Sequence, residues 1–293
     1  MKKSLLADGA LLFVTMGWGL NFVVMKNVFL KLTPFMYLAV RFLIAFLILS
    51  GIFNENLCNF SKEDIKGGLL AGLFLFLGFA SQAVGLLYTT PAKSGFITGS
   101  SVVMVPFFAY FVTKKFPGWS QVTGALLAFL GLAVISVEGN LKINPGDLIT
   151  VFCAIFFALQ IVVIEYYAKI AGSVNLAILE TGIAGILSLI TGAMYEPMPA
   201  KLDLMSWAAI LYASIFCTAG AFVIQNIAQK YTTSTHAAVI MCMESVFAGV
   251  FSYIFWHEPI TLKTLSGFFL ILAGVLITEL LPTGKMKKAD LPG

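Results

Sequence analysis

Charge is scarce in this chain. Only 11% of its 293 residues are charged, 18 Lys and Arg against 14 Asp and Glu, where a soluble domain averages about 25%. That shortage excludes a large soluble helical protein, because almost no polar surface is left to face water. Histidine is nearly absent: His236 and His257 are the only two. His257 falls in a loop on the opposite side from His236, so no metal site is expected. The four cysteines, Cys58, Cys153, Cys217 and Cys242, are scattered. They form neither ligand spacing nor a disulfide framework and read as small apolar groups. No G-x-x-x-x-G-K-[ST] motif is present, which argues against ATP-driven work by this chain alone. The absence of G-x-S-x-G, of H-E-x-x-H and of paired aspartates inside apolar segments argues against an intramembrane enzyme. No cofactor is expected, and no basic patch suits nucleic acid.

What is present is hydrophobic residue, 59% of the chain. It falls into ten segments, at about 6–28, 34–53, 66–89, 91–113, 119–137, 147–168, 174–195, 204–229, 232–255 and 260–281. Turn chemistry separates them at Thr33-Pro34, Asn54-Glu55-Asn56, Pro91, Phe116-Pro117-Gly118, Asn144-Pro145-Gly146, Pro197 with Pro199, and Pro259. Each is long enough for a membrane-crossing helix, which needs about 20 apolar residues. Barrel strands would be shorter and would alternate strictly. Lys2-Lys3 before an apolar run looks like a signal start. The run continues to about Val28, however, and reads as part of the fold.

The chain also contains its own sequence twice. A shift of 143 carries Gln82 onto Gln225, Tyr88-Thr89-Thr90 onto Tyr231-Thr232-Thr233, Tyr110 onto Tyr253, Gly124 onto Gly267 and Gly131 onto Gly274. Earlier in each half a shift of 139 carries Phe13 onto Phe152, Val23-Val24 onto Val162-Val163, and Ile44-Ala45 onto Ile183-Ala184. Each half holds five spans, so the second enters the membrane upside down relative to the first. The expected fold is therefore an all-α membrane protein. Ten transmembrane helices form two inverted five-helix repeats, residues 1–140 and 141–293 with a short basic tail, around a central cavity. Substrate sites in such proteins lie near the midplane at the repeat interface. Gly124 and Gly131, like Gly267 and Gly274, are seven apart. Each pair shares a helix face and permits close packing.

Lysines orient the bundle. With the N-terminus in the cytoplasm, Lys2, Lys3, Lys62, Lys66, Lys114, Lys115, Lys169, Lys230, Lys285, Lys287 and Lys288 lie on the cytoplasmic side. Lys26, Lys31, Lys93, Lys142, Lys201 and Lys263 lie opposite. The positive-inside bias thus puts both termini in the cytoplasm.

Ionisable groups within spans are functional candidates. Glu244 is the strongest. It lies about 12 residues into its segment, roughly 18 Å at 1.5 Å per residue, past the midpoint of a hydrocarbon core about 30 Å thick. A carboxylate there is suited to binding an amine-bearing substrate or to holding a proton, and competition between the two would couple transport to proton flow. A helix-packing role for Glu244 is the alternative. His236, Ile240 and Glu244 are four apart on one face, which makes His236 a gating or proton-entry candidate, although a lone interfacial histidine is the commoner case. Under the 139 shift Arg41 falls on Glu180, and Lys26 on Glu165. Arg41 and Glu180 are gating candidates. For Arg41 a structural role bonded to an ion or carbonyl is favoured, while Lys26 and Glu165 are expected to snorkel toward the interface. Trp18, Asn21, Gln82, Ser100, Ser101, Gln225 and Asn226 are candidate cavity-lining groups. Tyr88 and Tyr231 suit an interfacial belt better.

Several of these residues carry a family resemblance. Trp18-Gly19-Leu20-Asn21-Phe22-Val23 followed by Lys26 resembles the first-helix signature of the EamA family in the drug/metabolite transporter superfamily. Pro34 and Arg41 match its second-helix pattern, and Thr89-Thr90-Pro91-Ala92 resembles the start of its fourth helix. Glu244-Ser245-Val246-Phe247, Glu258-Pro259 and the Gly267–Gly274 spacing resemble its ninth and tenth helices. The resemblance spans both repeats. It implies ten helices, a central cavity and transport of small metabolites, often outward, across the cytoplasmic membrane of a bacterial cell. Ser245 and Val102 stand where the family often has proline, so helices four and nine are expected to run straighter near the midplane.

The leading function is then a secondary carrier exporting a small metabolite such as an amino acid or an organic cation, with or without proton exchange. Its partners are the small-molecule substrate, protons and the lipid bilayer. A nucleotide-sugar or sugar-phosphate carrier is the related alternative, disfavoured by the shortage of intramembrane basic residues. A channel or a non-transporting receptor is the other class.

Overall fold

The structure is a computed structural model that describes residues 2–25, 32–57, 59–89, 91–114, 116–136, 144–197, 202–257 and 259–281. Lys26, Lys31, Cys58, Thr90, Lys115, Lys142, Lys201, Glu258 and the lysines of the tail lie outside these residues, as does the side chain of Lys93.

Among the described residues the chain is all helix, with no strand. In order the helices are α1 (Lys2–Met25), α2 (Pro34–Ile52), the single turn α3 (Asn54–Leu57), α4 (Lys62–Leu86), α5 (Pro91–Gly99), α6 (Ser101–Thr113), α7 (Trp119–Ser136), α8 (Pro145–Tyr167), α9 (Ser173–Tyr195), α10 (Leu204–Ser214), α11 (Ala221–Ala228), α12 (Ser234–Met241), α13 (Met243–Trp256) and α14 (Leu262–Leu280). A π-helical segment, Ile215–Gly220, joins α10 to α11. Nine of the resulting rods are long and apolar enough to cross a membrane among the described residues. The outer surface carries large apolar side chains such as Leu47, Phe107, Phe111 and Phe269, all well exposed. In water such a surface would drive association, and in lipid it is the wetted face.

Helix starts follow from their side chains. Ser61 with Asp64, and Asn144 with Asp147, form capping boxes at α4 and α8. The Ser61 hydroxyl and the Asn144 amide oxygen each accept from a backbone N–H that the helix leaves orphaned, and the aspartate carboxylates accept from the cap N–H groups. Glu196, at the end of α9, accepts from the backbone N–H groups of Phe35 (3.0 Å) and Met36 (2.8 Å) and so closes the start of α2. Glu165 does the same for α12, accepting from Ser234 N at 2.8 Å while Lys169 Nζ binds its other oxygen at 2.8 Å. This corrects the snorkelling expected of Glu165. The buried start of α12 nearby offers a carboxylate a stronger partner than interfacial water.

Helices α7 and α14 meet along bare backbone. A Cβ added at Gly131 would stand 2.6 Å from the Gly267 carbonyl oxygen, and one at Gly274 would stand 2.6 Å from that of Gly124. Reciprocal additions at Gly267 and Gly124 would meet Gly131 O at 2.8 Å and Gly274 O at 2.7 Å. Only glycine lets two helices approach this far.

The α-helical winding of helices four and nine is interrupted, although each continues as one rod. The fourth is interrupted at Ser100, between α5 and α6, where Ser100 N is shared between Phe96 O (3.0 Å) and Ile97 O (3.1 Å) and Val103 N bonds Ser100 O (3.1 Å). The ninth breaks at Cys242, where Cys242 N bonds Val239 O and Ser245 N bonds Cys242 O, both at 3.2 Å. Both breaks are tightened i→i+3 turns, a device that needs no proline at the break itself. In α6, Pro106 also lacks the N–H that would bond the Val102 carbonyl. Both rods then end in a left-handed residue, Lys114 (φ 55°) and His257 (φ 53°), the two non-glycine residues of positive φ among those described. These positions are 143 apart.

Candidate functional site

Four elements converge beside the middle of the ninth rod. Gly19 on α1 lets α13 close in, since a Cβ there would meet Phe247 Cβ at 2.6 Å and the Glu244 carbonyl oxygen at 3.0 Å. Its neighbour Trp18 turns the other way. The indole Nε1 donates to the Cys217 carbonyl at 2.8 Å, and the ring leans on Phe222. The Cys217 carbonyl lies in the π-helical segment, where the wider winding loosens the usual backbone pairing. Arg41 of α2 reaches the same carbonyl through Nη2 at 3.1 Å and donates from Nε to Thr218 Oγ1 at 2.6 Å. Its guanidinium lies 5.7 Å from the Phe42 ring centre and 5.6 Å from that of Phe79. Arg41 is thus buried, with its charge held by carbonyl, hydroxyl and aromatic faces.

Glu244 is of a different kind. It is half-buried, and its carboxylate has no hydrogen-bond partner among the described residues. Arg41 is within Coulombic reach of it, but the two make no ion pair. Trp18, Asn21, Gln82, Ser100 and Ser101 share its half-buried state. Asn21, three residues after Trp18, leaves Oδ1 without a partner. Gln82 donates to Thr98 Oγ1 at 3.2 Å, which in turn lies 3.5 Å from Cys153 Sγ. Ser100 and Ser101 sit at the break in the fourth rod, with Ser100 Oγ turned back onto Ile97 O at 2.6 Å.

Glu180, Gln225 and Asn226 are placed otherwise. Glu180 is fully buried and accepts from Gln160 Nε2 (2.9 Å) and Asn226 Nδ2 (2.7 Å). Gln225 continues the network to Gln229 at 3.1 Å, and Gln229 Nε2 closes it on the Ile161 carbonyl at 2.8 Å. This is a buried polar core linking α8, α9 and α11, in which Gln225 Oε1 and Asn226 Oδ1 are left without a partner. The structure therefore corrects the cavity-lining expectation for Gln225 and Asn226, because at 1% and 0% exposure they face no open space. His236 and Glu244 do not share one continuous helix face, since the break at Cys242 intervenes. His236 instead meets Glu279 at 2.9 Å. Tyr88 and Tyr231 are exposed, as a belt requires.

Sequence reasoning missed the Cys217 carbonyl, Thr218, Gln160 and Gln229. The two glutamines were discoverable as amides in apolar runs. A π turn leaves no such mark.

The sequence profile of the EamA-like transporter family matches residues 5–137 and again 144–280. Among relatives, a protein from Archaeoglobus fulgidus designated an uncharacterized transporter is 36% identical over 278 residues, covering 95% of this chain and 87% of its own. An S-adenosylmethionine uptake transporter of Rickettsia prowazekii is 20% identical over 226 residues, covering 76% of this chain and 74% of its own. A solved crystal structure superposes with a TM-score of 0.79 at 17% identity, covering 96% of this chain and 97% of that one, which shows a shared fold. The chain belongs to the EamA-like transporter family.

Proposed function

We propose that this protein is a secondary active carrier for small amine-bearing metabolites, amino acids or organic cations, that works by alternating access with Glu244 as the substrate- and proton-binding carboxylate. One observation carries the reading. Glu244, the eleventh residue of the rod Ser234–Phe255, holds an unpartnered carboxylate about 15 Å from the rod's start. An intramembrane carboxylate without a partner is costly unless a ligand or a proton occupies it. The sulfonium and ammonium groups of S-adenosylmethionine, named for the Rickettsia relative, are of the cationic class such a carboxylate suits. The buried Arg41 sets the field at the site without neutralising Glu244 by contact.

The same reading includes ten spans in two inverted repeats with both termini in the cytoplasm. It is supported by the two-fold family match and by the glycine contacts. Exchanging the repeats turns the Gly124–Gly274 contact into Gly267–Gly131, which is the other contact of the seam. A left-handed cap ending both the fourth and ninth rods points the same way.

Counterflow in proteoliposomes tests the function. Vesicles preloaded with an amino acid or organic cation should accelerate uptake of the labelled solute, and an internal pH dye should report proton movement that Glu244→Gln removes. Flux that never saturates would indicate a channel, and binding without flux a receptor. Flux from either vesicle orientation gives the direction of transport.

A further inference from the structure

Three ionisable side chains outside the Glu244 site converge from three helices. Asp8 lies in the second turn of α1, His236 in the first turn of α12 and Glu279 in the last turn of α14. His236 Nε2 is 2.9 Å from Glu279 Oε1 and 3.8 Å from Asp8 Oδ1. One donor atom from each residue falls within 4.8 Å of the other two.

The protein alone leaves this cluster incomplete. Asp8 is 6% exposed, and its Oδ1 is buried with no hydrogen-bond partner. Its Oδ2 is held by Ser4 Oγ at 3.1 Å, Thr232 is a second hydroxyl neighbour of the carboxylate, and Oδ1 lies on the His236 side. An imidazole Nε2 carries at most one hydrogen. If it goes to Glu279, Asp8 Oδ1 receives none, and the two carboxylates flank a single imidazole donor. A buried acceptor left this way costs free energy. A divalent cation at the centre would satisfy all three groups at once.

We propose that Asp8, His236 and Glu279 form a binding site for one first-row divalent transition-metal ion of the zinc or cobalt class, tying α1 to α12 and α14. Bonds of about 2.0–2.2 Å to nitrogen and oxygen in a tetrahedral arrangement place donors about 3.4 Å apart. The 2.9 and 3.8 Å separations bracket that value, so small side-chain rotations complete the shell. The imidazole selects zinc, cobalt or nickel over magnesium and calcium, which prefer all-oxygen shells. His236 and Glu279 are partly open, leaving a side from which an ion and a fourth, water ligand enter. Ser4 orients Asp8 as outer-shell partners orient metal ligands.

The test uses the full-length protein in detergent micelles, with any affinity tag removed. Cobalt titration should saturate at one ion per chain, with visible d–d bands of a nitrogen–oxygen site and no thiolate charge transfer. Zinc should displace the cobalt, and magnesium should not. Asp8→Asn and Glu279→Gln should each weaken cobalt binding about tenfold or more, while His257→Gln leaves it unchanged. A measurement on the unaltered chain stands beside these variants. Saturating zinc should slow diethylpyrocarbonate modification of His236 and leave the exposed His257 reacting as before. Cobalt affinity equal in the unaltered chain and both carboxamide variants, or His236 modification indifferent to zinc, would overturn the site.

Discussion

The side chains of Trp18 and Arg41 donate to one acceptor, the Cys217 carbonyl, at 2.8 and 3.1 Å. A helix from the start of the chain and its neighbour are thereby anchored to the same turn of a rod some 200 residues away. The shared carbonyl belongs to the π-helical segment Ile215–Gly220, whose wider winding pairs its backbone less regularly than an α-helix does.

Trp18→Phe should keep the ring against Phe222 and lose only the indole donor, costing about 1 kcal/mol. Arg41→Met should cost more, because Thr218 and the Cys217 carbonyl both lose a charged donor, worth about 1.5–3 kcal/mol each. Melting of detergent-purified variants should rank them in that order. Equal melting points would mean the shared carbonyl is not an anchor.

Glu244 and Glu180 should separate cleanly. Glu244→Gln is expected to melt like the unaltered protein, since no hydrogen bond is lost, while transport-linked acidification disappears. Glu180→Leu should cost about 2 kcal/mol or more, as the buried amides of Gln160 and Asn226 lose their acceptor. A Glu244 variant that folds poorly but still moves protons would reverse these assignments.

Gln82 and Gln225 occupy equivalent places in the repeat yet should respond differently. Gln82→Ala should change substrate affinity and leave melting nearly alone, as the residue is half-buried with a single partner at 3.2 Å. Gln225→Ala should lower the melting temperature, because it removes the buried bond to Gln229 and leaves a cavity in the core. Substrate-dependent thermal shifts on both variants check this.

Gly131→Leu should prevent α7 and α14 from meeting and sharply reduce recovery of folded protein. Gly9→Ala is the control. Nothing lies within 4 Å of a Cβ there, and alanine favours a helix by about 1 kcal/mol over glycine. Size-exclusion profiles in detergent would distinguish the two.

The rods were legible in the sequence because their signal is cumulative. Each is a run of about 20 apolar residues bounded by Pro, Gly or Asn, and the observed helices begin within a few residues of those marks. Glycine spacing marked the two faces that meet in the α7–α14 seam, since a seven-residue interval fixes a face, but not that they meet each other. Side-chain partners were less legible. Sequence position says that Gln225 is in a span but not whether it meets water or Gln229. Glu165 near a helix end looked free to snorkel because the orphaned Ser234 N–H belongs to a distant segment. The interruptions at Ser100 and Cys242 were hidden because tightened turns leave no residue signature as strong as proline.

Where α7 meets α14, main chain presses on main chain, and peptide groups cannot rotate away as side chains can. That line behaves as a keel. In the alternating-access cycle proposed above, rocking of the two halves would pivot around it and bend elsewhere, with the interrupted fourth and ninth rods as the compliant members. Probes placed across the keel should therefore report one fixed separation through a transport cycle, while probes bracketing Ser100 or Cys242 should report two.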